Sequence, residues 1–131
     1  MPVYSRVFTI PAASEETYEL EIEGDVITRV RIRFPPGPQG LFKIAILYGI
    51  KHVFPHEEDS YFWGDSEIIE WNEYWPLPES PCVLRIQAVN EDDTYEHSFG
   101  LVIVTQRDRD TLAGQIGSAI VRAVKSLLSV I

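Results

Sequence analysis

The chain has 131 residues, 45% of them hydrophobic, a formal net charge of −9 and a single cysteine, Cys82. This length buries a core without metal or disulfide support, and one cysteine excludes an internal disulfide. The acidic balance argues against nucleic acid as a partner, because phosphates demand a basic surface.

In chain order, Val3 to Ile10 alternates and is rich in β-branched residues, which predicts a first strand ended by Pro11-Ala12-Ala13-Ser14. Thr17 to Glu23 and Val26 to Phe34 read as half-exposed strands, the second placing Val30, Ile32 and Phe34 inward and Arg29, Arg31 and Arg33 outward. Glu23-Gly24-Asp25 between them suggests a hairpin whose paired numbers sum to 50. In that register Glu21 faces Arg29 and Glu19 faces Arg31, a charge ladder within the chain. Pro35-Pro36-Gly37-Pro38-Gln39-Gly40 is a rigid turn, since its prolines fix φ and remove donors.

Leu41 to Ile50 is apolar on both faces and is the expected central strand. His52 to Trp75 is irregular, with extended pieces at Tyr61 to Trp63 and Glu67 to Trp71, and the prolines from Pro76 to Pro81 close it. Cys82 to Asn90 and Tyr95 to Gln106 alternate around the turn Glu91-Asp92-Asp93 and predict a second hairpin. Seven or eight strands with frequent turns and no interspersed helix predict an all-β fold. The expected architecture is an antiparallel two-sheet β-sandwich over residues 1–106, jelly-roll or immunoglobulin-like.

The last segment changes period. Apolar residues at 112, 116, 120, 123, 124, 127 and 131 keep the three-and-four spacing of one helix face, so residues 107–131 read as a C-terminal amphipathic helix. Gly114 and Gly117 each cost about 1 kcal/mol of helix propensity relative to alanine, which calls for a compensating contact. Arg122 and Lys125 disfavour a membrane span, and lying flat in a membrane interface is the least expected of the alternatives. The stripe Leu112, Ile116, Ile120, Val124 and Leu127 is therefore expected to dock on protein, on its own domain or on another subunit.

The charges are segregated. Residues 26–56 hold five basic residues and no acid, whereas residues 57–96 hold twelve acids and only Arg85. Besides the ladder above, this separation suits contact between unlike faces of neighbouring copies. Tyr61, Trp63, Trp71 and Trp75, interleaved with carboxylates, are a candidate surface of a second kind. Such rings either seal a long loop or an interface, or stack on sugar C–H faces in a carbohydrate-binding module.

No chemistry of catalysis is legible. Glu70 and Glu73 are two acids in an acidic stretch, His52, His56 and His97 fit no zinc spacing, and nucleophile-elbow and phosphate-loop motifs are absent. Asn90-Glu91-Asp92-Asp93 reads as turn chemistry rather than a calcium loop, and Cys82 as a small core residue. The expectation is a protein that is not an enzyme and has no cofactor or metal.

Several segments together carry a resemblance: Ile10-Pro11-Ala12, Val30-Arg31-Ile32-Arg33-Phe34-Pro35-Pro36-Gly37, Phe54-Pro55, Trp63-Gly64-Asp65 and Asn90 through His97. They resemble small β-sandwich structural proteins of phages and archaeal viruses, over residues 7–105 and without the tail. The resemblance implies a virion-associated role, as a capsid decoration or minor structural protein, and transfers no functional residue. The expected partners are copies of the chain itself, as a trimer or ring, and a capsid or other assembly protein. Pro2, Ser5 and Arg6 interrupt any apolar segment after Met1, so a virion or cytoplasmic location is expected, with no signal peptide and no transmembrane span.

Overall fold

The computed structural model describes residues 2–107 and Ile120. Nine strands follow in order: β1 (Val3–Ile10), β2 (Ser14–Ile22), β3 (Val26–Phe34), β4 (Phe42–Tyr48), β5 (Lys51–Phe54), β6 (Phe62–Trp63), β7 (Glu67–Pro76), β8 (Cys82–Asn90) and β9 (His97–Gln106). They form two antiparallel sheets, β1-β9-β3-β7 and β2-β8-β4-β5, with β6 also paired to β4. Leaving β6 aside, this strand order is that of an eight-stranded jelly roll, which settles the topology that alternation alone left open.

Both predicted hairpins are corrected. β2 pairs with β8, so Glu21 faces Val83 and Glu19 faces Arg85, while β3 lies in the other sheet between β9 and β7. The physical reason lies in the connection. Gly24, at φ +131°, turns the chain from one sheet to the other, and its flanks are held by distant strands: Asp25 N–H donates to the Gln106 carbonyl and Thr105 Oγ1 to the Glu23 carbonyl. β2 and β3 then turn their apolar sides toward the same core from different sheets, with Tyr18 of β2 stacked on Phe8 of β1. β8 and β9 are likewise in different sheets.

The inner faces carry the alternation read from sequence. Leu84, Ile86 and Ala88 of β8 meet Phe99, Leu101 and Ile103 of β9 and Val30, Ile32 and Phe34 of β3 in one buried cluster. β4 is covered on both faces, with Ala45 and Leu47 buried as well as Phe42, Ile44 and Ile46, as expected of the central strand. Cys82 is fully buried, and burial pushes its thiol pKa up.

Two side chains pin the loops. The Asp65 carboxylate accepts from Gly37 N–H at 3.1 Å and Gln39 N–H at 2.8 Å, fixing the proline turn. Asn90 Nδ2 donates to the carbonyls of Ile10, Pro11 and Tyr95, so one amide joins the end of β1 to the crossing from β8 to β9.

The outermost strands β1, β7 and β2 each carry a charge at a core-facing register position: Arg6 opposite Leu101, Glu73 between Trp71 and Trp75, and Glu16 opposite Ala88. The fourth edge, β5, is only four residues long. Charges in such positions and short edges discourage strand addition from another chain.

Candidate functional site

The outer face of the β1-β9-β3-β7 sheet is built from three cross-strand rows. The register places Val3, Val104, Arg29 and Asn72 in the first, Ser5, Val102, Arg31 and Glu70 in the second, and Val7, Gly100, Arg33 and Ile68 in the third. The predicted stripe of Arg29, Arg31 and Arg33 is therefore outward, but its partners lie on β7 rather than β2. Arg29 reaches Glu70 at 3.0 Å and donates to Asn72 Oδ1 at 3.0 Å, and Arg31 stands 3.9 Å from Glu70. These side chains are nearly half exposed, so each pair is worth little.

Arg33 differs from both. It lies between Ile68 and Gly100, and among the described residues no carboxylate forms an ion pair with it. Gly100 contributes no side chain and leaves a hollow of about 210 Å³, bordered by Arg6, Val7, Arg31, Arg33 and Val102. Arg6 curls back over the sheet edge, where its Nη1 donates to the Ser5 carbonyl at 2.9 Å. Beside the hollow, Val7 is 76% and Val3 57% exposed, with Val102 and Val104 half-buried between the strands. The face thus combines uncovered aliphatic surface with cationic groups.

The outer face of the other sheet has the opposite sign at its edge. Glu15, Thr17, Glu19 and Glu21 of β2 stand opposite Val89, Gln87, Arg85 and Val83 of β8. Glu15 accepts from Gln87, whereas Arg85 donates to the Gly49 carbonyl at 3.2 Å. Among the described residues Glu19 and Glu21 have no ion-pair partner.

The aromatic group is divided by the fold. Trp71 and Trp75 lie on the core-facing side of β7 and close the open edge between the sheets. Trp71 is 5.7 Å from Phe54 and 5.3 Å from Phe62, and Trp75 is 6.2 Å from both Phe54 and Tyr48, ring centre to ring centre. Trp63 of β6 and Tyr61 just before that strand clasp an ammonium on the other sheet, with Lys43 Nζ 4.4 Å from the Tyr61 ring centre and 5.0 Å from that of Trp63. Lys43 also pairs with Glu91 at 3.6 Å. Lys43 Nζ thus already lies against both rings.

Of the predicted helix contacts, Leu112, Ile116, Val124 and Leu127 lie outside the described residues. Ile120 is described, as a helical residue 59% exposed.

A buried acid–base pair went unread in the sequence. His97 Nε2 and Asp92 Oδ2 are 2.8 Å apart, and Asp92 Oδ1 also accepts from the N–H groups of Thr94 and Tyr95. The Thr94 N–H first, and His97 after it, hold the Asp92 carboxyl below the usual carboxylate range. Phe42 stacks on the imidazole at 6.0 Å and Gly37 lies close to its edge. The pair is closed in by the proline turn and serves the loop crossing. The hollow at Gly100 was also missed, although an isolated glycine within a strand pattern signals open space or close approach.

No protein-family model matches the chain, and no curated protein does. Among solved structures, it is similar to a mitogen derived from Yersinia pseudotuberculosis at 9% identity, over 79% of this chain and 86% of that one, with a TM-score of 0.46. It is similar to the infectious bursal disease virus VP2 subviral particle at 13% identity, over 86% of this chain and 34% of that one, with a TM-score of 0.46. The structure of tomato aspermy virus gives 8% identity over 84% and 81%, with a TM-score of 0.38. None of these likenesses is high enough to transfer a function.

Proposed function

We propose that this protein is a non-enzymatic structural subunit that self-associates and takes its place in a virus particle, as a capsid decoration or minor structural component. The observation that carries the reading is the strip of exposed valines beside Arg33 on the outer face of β1-β9-β3-β7. An uncovered apolar strip flanked by charge is what a protein contact uses. The particle location draws its support from the segments that resemble phage and archaeal-virus sandwich proteins.

Size-exclusion chromatography with light scattering tests the association. A concentration-dependent oligomer is expected for the full chain. A monomer at high concentration, both with and without residues 108–131, overturns the reading. Particles purified from the source are expected to contain the protein in a fixed ratio to the major capsid protein, and its absence from them removes the virion role.

A further inference from the structure

We infer that the second copy of the chain docks on the arginine hollow through the glutamate row of its β2 strand, so that unlike outer faces of successive copies meet. This rests on the self-association proposed above and assigns the surfaces that carry it.

The two faces are opposite in sign and equal in spacing. Arg31 and Arg33 alternate outward along β3, as Glu19 and Glu21 do along β2. Residues two apart on a strand are separated by about 6.8 Å in either case, so two carboxylates reach two guanidiniums in one register. Val102 of β9 stands beside Arg31 and Val83 of β8 beside Glu21, while Gly100 stands beside Arg33 and Arg85 beside Glu19.

The charges on each side are also free to meet a partner. Arg33 on one face, and Glu19 and Glu21 on the other, have no ion pair among the described residues. The missing side chain at Gly100 gives a carboxylate room between Arg6 and Arg33. Bidentate guanidinium–carboxylate pairing adds direction as well as strength to such a contact.

The two faces lie on opposite sides of the sandwich, so one molecule cannot satisfy itself. Each copy offers both halves, and the contact is heterologous, closing as a ring or continuing as a stack.

The test uses the full chain with paired charge reversals, Arg31→Glu/Arg33→Glu on one face and Glu19→Arg/Glu21→Arg on the other. Circular dichroism and melting first establish that each variant is folded. Each alone is expected to associate at least about tenfold more weakly than wild type in light scattering, because like charges then meet. Mixed in equal amounts, the two are expected to recover association, since each then presents the sign the other lacks. Arg33→Ala, which removes the charge without adding a repulsion, is the milder check, with a smaller loss in the same direction.

If wild type associates and both reversed variants associate equally well, the docking assignment is overturned while self-association stands. Loss of association only on removing residues 108–131, with the reversals silent, assigns the hollow no role and the contact to the tail. Recovery failing in the mixture, with each variant folded, also overturns the pairing. A monomeric wild type overturns both the pairing and the reading beneath it.

Discussion

Gly64 has no room for a side chain, because a Cβ there would lie 2.2 Å from Cδ2 of Phe34, a ring fully enclosed in the core. Gly64→Ala must displace that ring and is expected to cost about 2–3 kcal/mol, read as a lower urea midpoint at unchanged slope. A midpoint equal to wild type would show that the core yields at no cost. In sequence Trp63-Gly64-Asp65 was visible only as punctuation. Its meaning depends on Phe34 and the proline turn, both remote in the chain. Asp92 gives a second prediction at this scale. Its pKa is lowered on folding, so its contribution is complete above the unfolded value of about 3.9 and vanishes as pH falls through the lower folded value. Wild type is therefore expected to lose more stability on acidification below about pH 5 than Asp92→Asn. Parallel losses in denaturant titrations from pH 5 to pH 2 would exclude this role.

Among the elements, the bounds of β3 and β8 were legible to the residue, because alternation over all of β8 and over Arg29 to Phe34 of β3 fixes which side chains face the core. Their partners were not legible, since alternation specifies a face and is silent about which strand lies alongside. The β2–β3 ladder looked convincing for that reason: three glutamates and three arginines at matching spacing suit a hairpin, and they equally suit two strands on opposite sides of a sandwich. β7 was read as ending at Trp71 but continues to Pro76, carrying Trp75 to the sheet edge. The division of the aromatics gives a prediction that separates the two groups. Trp71→Ala removes a ring wedged against Phe54 and Phe62 and is expected to cost about 3 kcal/mol. Trp63→Ala gives up one contact of a 43% exposed ring with Lys43 and is expected to cost less than about 1 kcal/mol. Equal losses in thermal unfolding would mean that the cation, rather than the closed edge, holds this side of the molecule.

For the whole molecule, the charges on core-facing positions of the outer strands decide how copies can grow together. Arg6 and Glu16 make β1 and β2 poor templates, because an added strand would bury one charge per copy without a partner. Arg6→Val/Glu16→Val is expected to open these edges and convert dispersed protein into thioflavin-binding fibres, whereas wild type under the same agitation stays clear. Fibres from both at one rate would show that the charges guard nothing. Where the proposed contact continues as a stack rather than closing as a ring, growth runs along the normal to the sheets. Sheets within a sandwich lie about 10 Å apart, and a face-on contact adds a similar spacing, so a stack advances by about 20 Å per copy and stays one molecule wide. The chain would then build by thickness rather than by area, as a column whose length counts its subunits. X-ray scattering from concentrated protein is expected to show that repeat.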